Sequence, residues 1–97
     1  MTDILFIVSR PQSGAILAAL MGACRRRGKS WSCFFTSRGV EILSDGAVTD
    51  LLPHADKAVA CEYSWERFNG ARPCPTELGS QTDNSALAAV SARIISL

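Results

Sequence analysis

The chain has a single histidine, His54, and no C-x-x-C pair among its four cysteines. Eight residues separate Cys24 from Cys33, and twelve separate Cys61 from Cys74. Such spacing offers neither a zinc site nor a thioredoxin-type redox pair, so no metal is expected. Charge of one sign is lacking too. Ten basic residues face nine acidic ones, a formal net charge of +1. That argues against nucleic acid or a membrane as a partner held mainly by charge. The one basic cluster, Arg25-Arg26-Arg27, suits the end of a helix, where cations meet the negative pole of the dipole. No apolar stretch reaches the length of a membrane span. The opening "MTDILFIVSR" carries no basic residue ahead of its apolar run, so it does not read as a signal peptide. The expected location is cytoplasmic, where cysteines stay thiols.

What is present fits one globular domain over residues 1–97: 47% hydrophobic and 20% charged residues, enough for a modest core. "ILFIV", residues 4 to 8, is a continuous apolar run of the kind buried on both faces of a parallel sheet. From Ser13 the pattern turns helical: Leu17, Leu20, Met21 and Cys24 fall on one face. Ser13 is the expected N-cap and Gly28 the expected C′ residue. "SWSCFFT", residues 30 to 36, reads as a second strand with Trp31, Cys33 and Phe35 on one side. Gly39 marks a turn before a short helix from about Val40. Residues 44 to 56 read mostly as loop, with one helical turn at Val48 to Leu52. Lys57 to Cys61 is a third strand, and a helix is expected after it. Residues 69 to 82, rich in Gly and Pro, read as loop. Asp83 or Asn84 would cap a last helix to about Val90, and "ARIISL" closes as a strand. Strand and helix alternate without hairpin signals. The expectation is therefore a single-domain, doubly wound (flavodoxin-like) α/β fold, mostly parallel, with helices on both faces.

In such a sheet, ligands bind outside the carboxyl ends of the strands. Cys61 stands there, where "VACEYSWERF" passes from strand to helix. A helix start stabilises a thiolate; a buried, inert cysteine is the alternative reading. Cys24 and Cys33 read as core. Cys74, in the loop "RPCPTE", is a candidate resolving thiol for an oxidised or persulfidated Cys61. His54 precedes the third strand while Cys61 ends it, on the order of 20 Å away along extended chain, too far for a Cys-His pair. Cys61 to Arg67 also spells C-x5-R, the spacing of a phosphate-binding cysteine loop. Glu62 and Glu66 would repel the anion, and bulky Tyr63 and Trp65 replace the glycines such a cradle needs.

Over nearly its whole length the chain resembles the DsrE/DsrF-like sulfur-relay family. "ILFIVS" is similar to that family's first strand. "ILAALMGACRRRGKSWSCFFTSRGVEIL" is similar to its helix, Gly turn and Phe-Phe…Gly-Val…Leu segment. "CEYSWERF" is similar to its C-x-x-S-x-x-R segment, carried here by Cys61, Ser64 and Arg67, and "ALAAVSARIISL" to its final helix and strand. The sequence departs in two places: Phe68 stands where a glycine often follows the arginine, and no fourth strand is evident in "RPCPTELGSQT". The resemblance implies a sulfur carrier or sulfurtransferase subunit that holds a persulfide on Cys61, with Ser64 and Arg67 in support. It implies sulfur donor and acceptor proteins as partners, no organic cofactor, and a homo-oligomer (trimer or hexamer). The alternative is a structural or regulatory subunit with an inert Cys61. Trp31, Trp65, Phe68 and Leu51-Leu52 are more apolar bulk than one small core needs, which also points to assembly.

Overall fold

A computed structural model describes all of residues 1–97. Five strands, β1 (Thr2–Val8), β2 (Trp31–Phe35), β3 (Lys57–Cys61), β4 (Glu77–Gly79) and β5 (Ser91–Ser96), form one sheet in the order β4-β3-β2-β1-β5. Every pairing is parallel. The helices are α1 (Gly14–Arg26), α2 (Gly46–Thr49), α3 (Glu62–Asn69) and α4 (Gln81–Ala89), with a 3-10 helix over Ser37–Ser44 and short ones at Pro11–Ser13 and Leu52–His54.

Alternate strand residues feed two layers of unequal size. Phe6, Val8, Trp31, Cys33, Phe35 and Ala60 join the larger core, where Leu17 and Met21 of α1, Val40 of the 3-10 helix and Trp65 of α3 cover them. Leu5, Phe34, Val59 and Cys61 face the other way and are covered by Leu87 of α4. The chain steps from β1 to β4 one place at a time, with each connection on the larger layer. It then returns from β4 across the sheet to β5, and a crossover of the same hand puts α4 on the opposite face. The architecture is doubly wound with helices on both faces, as expected. Flavodoxin itself has the order 2-1-3-4-5; here the connections leaving adjacent strands diverge between β3 and β4 instead.

Local chemistry differs from the sequence reading in three places. Residues 69 to 82 are not all loop: Glu77–Gly79 forms β4, paired with Val59, Ala60 and Cys61. The last helix is capped by Ser80, not by Asp83 or Asn84. The Ser80 hydroxyl accepts from the Thr82 amide at 3.2 Å, and Asp83 reaches back to the Ser80 amide at 2.8 Å, a capping box. Ser13 makes no side-chain cap, because Pro11–Ser13 already winds as a 3-10 turn leading into α1. Gly28 does take a left-handed conformation, φ 66°, after α1.

The apolar bulk finds room inside one subunit. Trp31, Leu52 and Trp65 are buried, and Leu51 and Phe68 are half-buried. This apolar bulk therefore does not call for assembly: the 3-10 segments between β2 and β3 roof the sheet more fully than a loop would. No helix is long and apolar enough to cross a membrane.

Candidate functional site

The point of divergence between β3 and β4 is where an open parallel sheet leaves a crevice at its carboxyl edge. Cys61 ends β3 there, paired in register with Gly79, which ends β4. Two open depressions, each of about 440 Å³, meet at Cys61. Tyr63 and Gln81 border both. One is walled by Glu62, Glu66 and Ser80; the other by Thr36, Ser64, Arg67 and Phe68.

Cys61 is also the N-cap of α3, with extended backbone (φ −61°, ψ 119°). The free amides at the start of a helix and its positive dipole end favour an anion at that position. The neutral thiol closes no capping bond; the donors around it act when it ionises. Burial alone would raise the Cys61 thiol. The Ser64 hydroxyl and amide, the Tyr63 amide and the Thr36 hydroxyl outweigh it and hold the thiol below its ordinary value.

Two hydrogen bonds leave those hydroxyl protons available to the sulfur. Ser64, itself buried, accepts the Ser37 amide on its oxygen at 2.9 Å. Thr36 accepts the Gln81 side-chain amide at 3.3 Å. With a donor already on each oxygen, the O–H proton is free to point elsewhere. Ser37 takes a left-handed backbone, φ 51°, which costs a non-glycine residue about 1 kcal/mol. The strained residue is the one that aims an amide at Ser64.

The other cysteines sit in different surroundings. Burial pushes the Cys33 thiol far up, and burial followed by the nearby Asp3 charge raises Cys24. Both belong to the larger core, as expected. Cys74 is half-buried against that same larger layer, its sulfur 3.4 Å from the Thr76 hydroxyl. Cys61 faces the smaller layer, so the structure does not bring the two thiols together. Arg67 does reach the Cys61 depression, but its guanidinium lies over the Phe68 ring at 5.4 Å, as Arg38 does at 4.7 Å. His54 is exposed at the far end of β3. No group of three His, Cys, Asp or Glu side chains is placed to hold a metal.

Sequence spacing alone brings together Cys61, Ser64 and Arg67. It does not name Ser37 and Gln81, which come from 27 and 45 residues away from the hydroxyls they orient. The partners of those side chains depend on tertiary structure. No family model, curated protein or solved structure matches this chain.

Proposed function

We propose that the protein is a sulfur carrier that holds sulfur as a persulfide on Cys61. The observation that carries the reading is the thiol's setting: a helix N-cap, two hydroxyls with protons to give, and open depressions on either side. Such a setting favours the thiolate, which is the attacking form. The Cys61 thiolate attacks the outer sulfur of a donor persulfide. The donor's S–S bond breaks, a new one forms on Cys61, and the donor leaves as a thiolate. An acceptor thiolate then attacks the outer sulfur and displaces Cys61 unchanged, with no net oxidation. The same donors would stabilise the anionic persulfide between the two steps. The resemblance to the DsrE/DsrF-like family supports the same reading.

The phosphatase-like alternative loses its cradle. Residues 62 to 67 are helical, so the amides of Glu66 and Arg67 serve α3 and cannot converge on a phosphate. Glu62 and Glu66 also border the crevice. An inert structural subunit is the competing reading, and one experiment separates the two. Incubation with glutathione persulfide is expected to add about 32 Da, one sulfur, to the peptide containing Cys61. A thiol acceptor should then remove it. No adduct, or an adduct on another cysteine, refutes the carrier.

Homo-oligomerisation, as a trimer or hexamer, is expected from the family resemblance alone. Sedimentation at micromolar concentration checks it, and a species of 10.4 kDa would sink it. A cytoplasmic setting, where thiols stay reduced, belongs to the same proposal.

A further inference from the structure

The end of the sheet away from Cys61 holds an apolar groove of about 330 Å³ between α1 and the edge strand β5. Ile4 and Phe6 of β1 form its floor, and Leu20, Ala23 and Ile95 its sides. The groove exists because the larger layer stops short. Within residues 1–97 no helix covers the face that β5 shares with α1, whereas parallel sheets are ordinarily covered on both faces. The apolar stripe continues beyond the groove. Ile16, which is 55% exposed, lies one helical turn before Leu20 on the same flank of α1. From Ile16 to Arg27 that flank runs roughly 16 Å, three turns of helix.

One end of the groove is cationic. Arg27, Lys29 and Arg93 border it. The two ion pairs in the molecule, Arg38–Glu41 and Lys57–Glu77, use none of them. Asp3, the one acid in the groove, accepts the Ser30 amide at 2.9 Å and the Ser30 hydroxyl at 3.2 Å, and its charge faces Lys29, which leaves the groove with an excess of cations. Arg27 suits the helix end it follows, but Lys29 and Arg93 lie on no helix.

We propose that this groove docks an amphipathic helix of a partner protein, whose acidic residues meet Arg27, Lys29 and Arg93. The groove is long and open, which suits a helix laid along it by its apolar face. The uncovered position is also where a layered α/β sheet carries a helix. A second copy of this chain fits poorly. The exposed acids of α3, Glu62 and Glu66, flank only Tyr63, and Asp83 of α4 is held in its own cap. Neither helix offers an apolar stripe ending in free acids.

The test uses two synthetic four-turn helical peptides with the same leucine face, one ending in glutamates and one in lysines. They are titrated into the full-length protein with amide and methyl NMR detection. The glutamate peptide is expected to bind at least tenfold tighter and to shift Ile16, Leu20, Ala23 and Ile95. Exposed Ile16→Glu should weaken it at least tenfold, and Arg27→Glu with Arg93→Glu should reverse the preference between peptides. The proposal is overturned if neither peptide binds, if the shifts fall elsewhere, or if the charge reversal has no effect. It is overturned equally if the same residues shift with protein concentration alone, which would make the occupant a second copy. Shifts there with dodecanoate but with neither peptide would make it a small amphiphile.

Discussion

Alkylation of the native protein is expected to modify Cys61 first and to leave Cys33 untouched until the protein opens. The thiolate is the reacting form, and each unit of thiol pKa changes its population about tenfold at pH values below the pKa. Cys61 is held below the ordinary thiol value and, although only 8% exposed, borders two open depressions. Cys33 is fully enclosed and pushed far above it. Access and ionisation act in the same direction, so a ratio of at least about a hundredfold is expected. Half-buried Cys74 should label second, and Cys24, buried and raised, after it but ahead of Cys33. Peptide mapping after a short iodoacetamide pulse reads the order, and Cys24 or Cys33 labelling first would refute the site.

The pH dependence tests the cause. The rate at Cys61 should rise through a midpoint below the ordinary thiol value. Ser64→Ala and Thr36→Val should each move that midpoint up, because each removes a proton donor to the thiolate. The sign carries over to stability. A folded-state pKa below the unfolded one stabilises the fold in full above the unfolded pKa, and that contribution is lost as pH falls through the folded pKa. In acid, the neutral thiol stabilises nothing through ionisation. A midpoint unchanged in both variants would leave the helix start as the only source of activation.

Much of this site was legible because it lies at the ends of elements with strong signals. The run "ILFIV", the aromatic strand and the alternation of element types fix a parallel sheet, and the parallel sheet fixes which edge matters. Cys61 then follows from being last in its strand. β4 was not legible. Glu77 and Leu78 are exposed, so β4 has no apolar pattern, and backbone pairing to β3 alone defines it. Ser80 is legible in the sequence: "SQTD" is a serine three residues ahead of an acid, the pattern of a capping box. The 3-10 helix over Ser37–Ser44 has no simple period, yet it buries Val40, Ile42 and Leu43. What sequence cannot supply is the pairing of Ser37 with Ser64 and of Gln81 with Thr36. Each depends on how loops from three strands converge at one edge.

Gly39→Ala is expected to damage both the fold and the site. Gly39 lies where the 3-10 helix crosses the end of β1. An added methyl would meet the Val8 carbonyl, 2.6 Å from its carbon, and the Ser9 Cα at 3.0 Å. These are backbone atoms of the sheet and cannot swing aside as a side-chain tip can. The helix must therefore lift. Overpacking of this kind costs about 1–3 kcal/mol, and each kcal/mol lowers Tm by about 4–8 °C in a domain of this size. Lifting also strains the bond from the Thr36 amide to the Val8 carbonyl, 2.9 Å, and the Gly39 amide bond to Thr36, also 2.9 Å. Thr36 and Ser37 are the residues that carry and orient donors toward Cys61. Loss of alkylation selectivity should accompany the loss of stability, although Gly39 does not border the crevice. Gly46→Ala is the control: its methyl would meet nothing within 4 Å, and a glycine with compatible backbone gains about 0.4–1 kcal/mol on such a change. Thermal unfolding of both variants, followed by a Cys61 labelling pulse well below each Tm, tests the coupling. Gly39→Ala melting with the unmodified protein would mean that the 3-10 helix does not press on β1. Melting lower but labelling normally would mean that the loop after β2 does not set the thiol's surroundings.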